Sequence, residues 1–536
     1  MSAAGQPSAA AAPAASSGAF APLRQPVFAV LWFAMVLGNT GSFMRDVASA
    51  WVVTDLSASP TAVALVQSAA TLPALLLALP AGVLSDILDR RRFLIVVQVL
   101  LMAVSTTLML LAAGGGLTVA TLIGLTFASG VGAALMGPAW QAIVPELVSR
   151  DQVRGATALN SLGINISRAI GPALGGVLVA AFGAATAYAV DAASYLAVIA
   201  ALWWWRRPAQ APDALSERFF GAFRAGLRYT RASRALHRVL LRAAVFFAFG
   251  SALWGLLPLV ARRLLGGDAG FYGLLLGAVG AGAIAGAVLL PKLRARLSAD
   301  ALLLGSALVV SGVMAALTAG PGRVPALVLM LLLGAGWIVA LTTLNGTVQA
   351  ILPNWVRGRG LAVYLMVFSG ASAAGSLGWG LTAQALGVPA ALLIAAAGGL
   401  VAALVMWRLK LPAGDADLQP AEHWPQAAGS QEHAPERGPV MVQVEYRVRV
   451  EDRPAFLELL RRLGEERRRD GAFSWGVFEH TADAQRVVEW FLVESWGEHL
   501  RQHRRVSKAD AQVQAQLREL HIGEGKPAVG HWVALE

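Results

Sequence analysis

Apolar residues fall into twelve long stretches, and polar residues gather in the short segments between them. A helix needs about 20 apolar residues to cross the hydrocarbon core of a bilayer. The pattern predicts spans over 27–52, 60–84, 93–113, 117–146, 155–181, 183–205, 240–261, 270–291, 300–320, 324–350, 359–384 and 388–410. Beyond about residue 439 the periodicity changes. Val440–Val450, Phe473–His480, Arg486–Trp496 and His531–Leu535 read as strands at period 2. Asp452–Arg469 and Glu498–Leu520 read as helices, with Phe456, Leu459, Leu460 and Leu463 on one face of the first.

The expected fold is therefore an all-α polytopic membrane protein of twelve transmembrane helices, followed by a small α+β domain. The order βαββαβ of that domain predicts a ferredoxin-like sandwich. Composition agrees. The 536 residues are 56% hydrophobic and 14% charged, against about 25% charged in a soluble domain. In lipid, helices associate through close packing of small residues, and 56 glycines with long alanine runs suit that.

The net charge of +11 raises the question of nucleic acid. Residues 439–536 hold about as many acids as bases, so the excess lies in the loops of the apolar region. One set of loops carries Arg90, Arg91, Arg92, Arg150, Arg154, the run from Arg206 to Arg234, Lys292, Arg294, Arg296, Arg357, Arg359, Arg408 and Lys410. The other set offers Arg262, Arg263 and Arg323. The positive-inside rule places the first set, and both termini, in the cytoplasm. The charge thus records topology in a plasma membrane, and no nucleic-acid partner is expected. Absence of cysteine excludes disulfides, thiolate metal sites and cysteine nucleophiles. No Gly-x-x-x-x-Gly-Lys-Ser/Thr loop occurs, so ATP drive and a nucleotide cofactor are not expected.

Residues 1–22, rich in Ala, Ser, Pro and Gly, read as a disordered tail, and 23–411 as the membrane domain. Residues 412–438 read as a flexible linker and 439–536 as a cytoplasmic domain. The membrane domain is internally duplicated. Gln141-Ala-Ile-Val-Pro145 ends the fourth span and Gln349-Ala-Ile-Leu-Pro353 the tenth. Each precedes an Arg-Gly pair and a Gly/Ser-rich helix. The halves are 23–205 and 239–411, joined by a basic loop over 206–238. Two six-span halves with a long central loop describe the major facilitator architecture.

Four groups of residues suggest mechanism. Gly82-Val-Leu-Ser-Asp86-Ile-Leu-Asp89-Arg90-Arg91-Arg92 resembles the major facilitator signature between spans two and three, with Ile87 and Asp89 where the superfamily favours Arg and Gly. It implies a conformational latch, with Gly82 permitting close helix approach and Asp86 capping the next helix. In the fifth span, Gly171, Pro172, Gly175 and Gly176 look like the antiporter signature of exporters, expected to bend and thin the helix where the halves meet outside. Arg45, Asp46, Arg168 and Asp191 lie within spans, where a charge costs about 3 kcal/mol or more and is usually functional or paired. Asp46 is the first candidate for proton coupling; its alternative is a static pair with Arg168 or Arg45. Asn39, Gln67, Trp140, Gln141, Asn160, Asn165, Trp254, Trp337, Asn345 and Gln349 are candidates to line a mostly apolar substrate pocket.

His499 and His503 stand four apart on a helix, a spacing that can seat a metal. No third ligand is evident, so the pair reads as part of a solvated basic face, and neither a metal site nor a catalytic residue is expected.

Together these motifs resemble the enterobactin-exporter-like branch of the superfamily, the transmembrane secretion effectors. Asp46-Val-Ala-Ser-Ala-Trp51, Leu72-Pro73, Pro80-Ala-Gly82 and Ser495-Trp496 with His499-Leu-Arg-Gln-His503 carry the likeness. The C-terminal block is similar to small antibiotic-biosynthesis monooxygenases. The resemblance implies a twelve-helix secondary exporter working by alternating access and implies no substrate. With the charges inside the spans and the mostly apolar pocket, the expected function is proton-coupled export of a small amphipathic molecule (a drug, siderophore or secondary metabolite), and no enzyme activity is expected. Its partners would be that substrate, protons and the lipid bilayer, with self-association of the C-terminal domain. Alternatives are an importer or uniporter of the same fold, or a transporter whose C-terminal domain senses a ligand or catalyses.

Overall fold

The structure, a computed structural model, describes residues 20–206, 219–412, 417, 418, 421 and 437–535. Most of the expected tail and linker, and residues 207–218 of the central loop, lie outside the described residues. Six helices form the first half: α1 (Pro26–Leu56), α2 (Pro60–Ile87), α3 (Arg90–Ala113), α4 (Val119–Ile143), α5 (Val153–Phe182) and α6 (Ala184–Trp204). A short helix, α7 (Phe219–Ala232), lies in the central loop. The second half holds α8 (Arg234–Leu259), α9 (Ala269–Arg294), α10 (Ala299–Thr318), α11 (Arg323–Ile351), α12 (Arg357–Leu386) and α13 (Val388–Met406). Twelve of the helices among the described residues are long and apolar enough to cross a membrane. Large apolar residues such as Val96, Val288 and Val324 stay exposed, as lipid-facing positions require.

Local chemistry sets the ends. Ser59, Thr118, Ser233, Asp268 and Ser298 each cap a helix by accepting a backbone N–H with the side chain. The span expected at 240–261 starts earlier, at Arg234, because Ser233 supplies that cap. The turns between α5 and α6 and between α12 and α13 are each made by one glycine, Gly183 and Gly387, at φ 81° and 85°. Only glycine adopts that backbone cheaply. The same turn at the same place in both halves supports the duplication read from the Gln-Ala-Ile motifs.

Two seams join the halves: α2 packs along α12, and α5 along α9. A shift of six spans turns one seam into the other. Hydrogen bonds across them, between described residues, lie at the ends remote from the arginine-rich loops. Ser59 Oγ donates to Gln384 (2.9 Å) and Ser68 Oγ to the Ala373 carbonyl (2.8 Å). After α8 a π-helical turn over Val260–Leu264 carries Arg262 to Thr54 (2.8 Å) and Asp55 (2.5 Å), and Arg263 to the Ala58 carbonyl.

The C-terminal residues form a sheet with helices on it: β1 (Val440–Arg447), α14 (Arg453–Asp470), β2 (Ser474–His480), β3 (Asp483–Val493), α15 (Trp496–Arg505), α16 (Lys508–Glu519) and β4 (Ala528–Val533). The sheet is antiparallel in the order β2-β3-β1-β4, the arrangement a split βαβ pair produces. The helix expected over Glu498–Leu520 is two helices. Ser507 and Asp510 form a capping box that starts α16 afresh.

Candidate functional site

The charged residues of the first half converge on α1 and α6. Arg45 Nη2 lies 2.9 Å from Asp46 Oδ1, and Arg45 Nη1 lies 3.2 Å from Asp191 Oδ2. Arg45 also donates to the Tyr195 hydroxyl (2.8 Å), and Ser105 Oγ of α3 donates to Asp191 (2.6 Å). Asp191 is wholly buried, with Oδ1 unbonded, whereas the Asp46 side chain is 54% exposed. The pairing expected between Asp46 and Arg45 is present, but the buried partner is Asp191. Arg168 forms no ion pair among the described residues. It belongs to α5 near the level of Asn39, about two turns from Asp46, since Gly171 packs on Thr40 and Gly175 on Met44.

The latch motif divides in a way its sequence does not announce. Asp89, not Asp86, caps α3, accepting the Arg92 N–H at 2.8 Å; the Asp86 side chain lies outside the described residues. Arg90 bonds Glu146 (2.6 Å) and the carbonyls of Ser85 and Ala142, stapling α2, α3 and α4 together. Arg91 donates to the carbonyls of Leu202 and Trp203 at 2.8 and 2.7 Å, covering the C-terminal end of α6. Gly82 does not serve close helix approach: among the described residues, a Cβ there would meet nothing within 4 Å. In α5 the glycines split. Gly171 and Gly175 pack on α1 of the same half, where a Cβ would come within 2.7 and 2.8 Å of Phe43 and Met44. Gly176 packs on the other half, with Gly273 Cα 2.7 Å from its Cβ position and the Pro172 carbonyl 2.7 Å from that of Gly273.

A cavity of about 860 Å³ lies between α2, α4 and α12, towards their arginine-rich ends. Gly82, Ser85, Gln141, Trp355, Arg359 and Ser369 line it, with Thr71 and Phe368 deeper. A smaller cavity of about 90 Å³ inside the first half holds Asn39, Trp140, Gln141 and Asn160. There Trp140 Nε1 donates to Asn160 at 3.3 Å. The other substrate candidates stand elsewhere. Gln67 is half-buried in α2, and Asn165 bonds the Ser161 carbonyl on its own helix. Trp254 and Trp337 pack edge to face at 5.3 Å, and Asn345 bonds Gln349. Trp355 and Arg359 are not among the expected substrate residues; their place after a motif that repeats the end of α4 is the signal that points to them.

This architecture of two six-helix halves around a cavity has relatives. Residues 17–536 match the family described as transmembrane secretion effector. The chain belongs to that family. Such secretion effectors are transporters of the major facilitator type, and this one is a multi-pass integral membrane protein. It is 23% identical over 262 residues to the Staphyloferrin A transporter of Staphylococcus aureus (strain NCTC 8325 / PS 47). The match covers 48% of this chain and about 65% of the length of that relative. In structure it is similar to a bacterial homolog of the human lysosomal transporter Spinster, in an inward-facing and unoccupied conformation. The TM-score is 0.60 at 16% identity, covering 72% of this chain and 97% of that one. It is also similar to the nucleoside transporter NupG, with a TM-score of 0.61 at 11% identity, covering 72% of this chain and 99% of that one. At these identities the likeness is one of fold.

The C-terminal unit of this secretion effector rests on the mouth of the large cavity. Arg228 of α7 pairs with Glu494 and, at 3.5 Å, with Glu498. Arg505 lies over the Trp355 ring and Arg469 over Tyr229. Arg469 also bonds both Asp510 oxygens at 2.8 Å, and against the effect of burial Asp470 and Asp510 hold its guanidinium above the usual arginine range.

Proposed function

We propose that the protein is a secondary exporter that exchanges protons for a small amphipathic molecule across the plasma membrane by alternating access. The observation that carries the coupling is that one cation, Arg45, serves two carboxylates, Asp46 and Asp191. With both acids ionised the trio bears one net negative charge inside the bilayer, which is costly. One proton neutralises it, and Arg45 is then held by whichever carboxylate stays ionised. Asp46 is the accessible member, so a proton that enters there alters the hold of Arg45 on Asp191, and with it the contact of α1 with α6.

We take the arginine-rich ends, both termini and the block 439–536 as cytoplasmic, in line with the positive-inside rule. The closed seams at Ser59, Ser68 and Arg262 are then external, and the large cavity faces inward, loaded from the cytoplasm. Its walls are mainly apolar, with Ser85, Gln141 and Ser369 as hydrogen-bonding groups and Arg359 as a cation. That lining suits an amphipathic ligand with an acidic group, and the similarity to a siderophore transporter favours siderophores within that class. Docking of the C-terminal block at the cavity mouth supports a regulatory role for it over a catalytic one.

The test is proton release from inverted vesicles carrying the protein, challenged with siderophores, macrolides and lipophilic dyes. A transported compound collapses the pH gradient, and Asp46→Asn abolishes that collapse while exchange of labelled substrate persists. Unchanged proton flux and pH dependence in Asp46→Asn would remove the coupling role.

A further inference from the structure

The C-terminal block contains a cluster that the transport reading does not use. His499 and His503, one turn apart on α15, bring their Nε2 atoms to 3.1 Å. The strand β4 adds His531, whose ring centroid is 4.8 Å from that of His499. One ligand nitrogen from each of the three lies within 4.8 Å of the others. The expected solvated face does not hold for His499, which is 2% exposed, and the third ligand absent from the helix comes from the far end of the sheet.

We propose that His499, His503 and His531 bind one divalent transition-metal ion, Zn²⁺ foremost. An ion bound tetrahedrally at about 2.0–2.1 Å from each imidazole nitrogen holds those nitrogens roughly 3.3 Å apart. The pair on α15 already stands close to that spacing, and rotation of the His531 side chain closes the remainder. Each partner is placed by its own element. The helix spacing fixes the first two, with α15 begun by the Ser495 cap. Pairing of β4 with β1, which sets His531 opposite Val442, fixes the third. The Nδ1 of His499 is buried without a hydrogen bond, so the ring is not oriented by a partner on that side. Three imidazoles with no carboxylate in the cluster, among the described residues, select borderline ions over Mg²⁺ or Ca²⁺. Trp496 walls the site, its ring 5.4 Å from His499 and 5.7 Å from His531. The neighbouring Arg467 is paired with Glu489 at 3.4 Å. His503 and His531 are only half-buried, which leaves a fourth position open to water or another ligand.

The ion would tie α15 to β4. Because α15 also carries Glu498 and Arg505, which meet Arg228 and Trp355, occupancy stiffens the surface that docks at the cavity mouth.

The full chain, purified without a histidine tag and stripped with a chelator, is titrated with Co²⁺. The expected result is one equivalent bound, with the intense visible absorption of a four-coordinate ion, and displacement by Zn²⁺. His531→Gln and His503→Gln each weaken binding by at least about tenfold, whereas His521→Gln, outside the cluster, leaves it unchanged. A weak six-coordinate spectrum, or affinity that survives His531→Gln, overturns the site. Should those variants misfold, the wild-type protein decides: specific binding raises its unfolding temperature with Zn²⁺ concentration, and no rise refutes the proposal.

Discussion

The guanidinium of Arg505 lies 4.4 Å from the ring centroid of Trp355, and Trp355 lines the large cavity. Arg505 is buried, bonds Glu498 at 2.6 Å and donates to the Asp470 carbonyl at 3.0 Å. A desolvated cation on tryptophan contributes about 2 kcal/mol. Lysine keeps the charge but loses the planar stack and the fork of donors. Arg505→Lys should therefore speed hydrogen exchange in α15 by about tenfold, an opening easier by about 1.4 kcal/mol. Exchange equal to wild type would mean that this contact does not hold the docked state.

Arg45 and Asp191 offer a sharper contrast. Removing one partner of a buried ion pair costs about 3–5 kcal/mol because the other is left uncompensated. Here the loss is asymmetric. Arg45→Ala strands Asp191 in a wholly buried site, whereas Asp191→Asn leaves Arg45 with Asp46. Thermal unfolding in detergent should show Arg45→Ala far more destabilised than Asp191→Asn, with the double variant recovering part of the loss. Equal effects of the two single substitutions would contradict the shared-cation geometry.

The sequence shows some of these features and conceals others, for physical reasons. Span length and loop charge are local properties, so the twelve helices and the side bearing the arginines could be read directly. The capping box at Ser507 and Asp510 was equally local, and reading it would have split the last helix correctly. Contacts between distant positions were hidden. Nothing near Arg45 singles out Asp191 over Asp46, since the decision rests on how α1 turns towards α6. Gly82 and Gly176 are alike in sequence, yet only Gly176 has another backbone against it. His531 joins His499 only because β4 closes the sheet beside β1.

The stability that Glu466 and Asp470 contribute to the C-terminal unit should fall as pH rises from mildly acidic to mildly basic. Burial, with Asp510 and Asp470, pushes the Glu466 carboxyl up to about 8 against the opposing pull of Arg469 and Arg467. Burial likewise moves Asp470 up to about 6. The ordinary values are 4.5 and 3.8, so the folded state binds more protons than the unfolded chain between those values and the raised ones. The stabilisation is complete below about pH 4 and is lost as pH rises through about 6 to 8. A fluorophore on Ala482→Cys, in a chain with no other cysteine, reports unfolding of this unit. The midpoint of the unsubstituted unit relative to that of Glu466→Gln should be lower at pH 8 than at pH 6; burial lowers His499 and His503, whose effect runs the other way but is common to both chains and cancels. A relative midpoint that rises with pH would refute the assignment.

On the proposed topology, the external closure should yield to a single methyl group. Gly176 and Gly273 meet backbone to backbone across the α5–α9 seam, and a Cβ on Gly176 would stand 2.7 Å from both Gly273 Cα and the Ala269 carbonyl. Neither atom belongs to a flexible side chain, so the helices must part. In the proposed alternating-access cycle that penalty falls on the externally closed state, since this seam opens in the other state, and each 1.4 kcal/mol shifts the balance tenfold. Ser68, 7% exposed and bonded across the second seam to Ala373, reports the opening. Ser68→Cys would be the sole thiol, shielded from an impermeant maleimide added outside while the seams are closed. Adding Gly176→Ala should raise its labelling rate about tenfold or more, whereas Gly82→Ala, which meets open space, should not. Labelling unchanged by Gly176→Ala, in protein shown to be folded, would mean that the α5–α9 contact does not keep the external side shut.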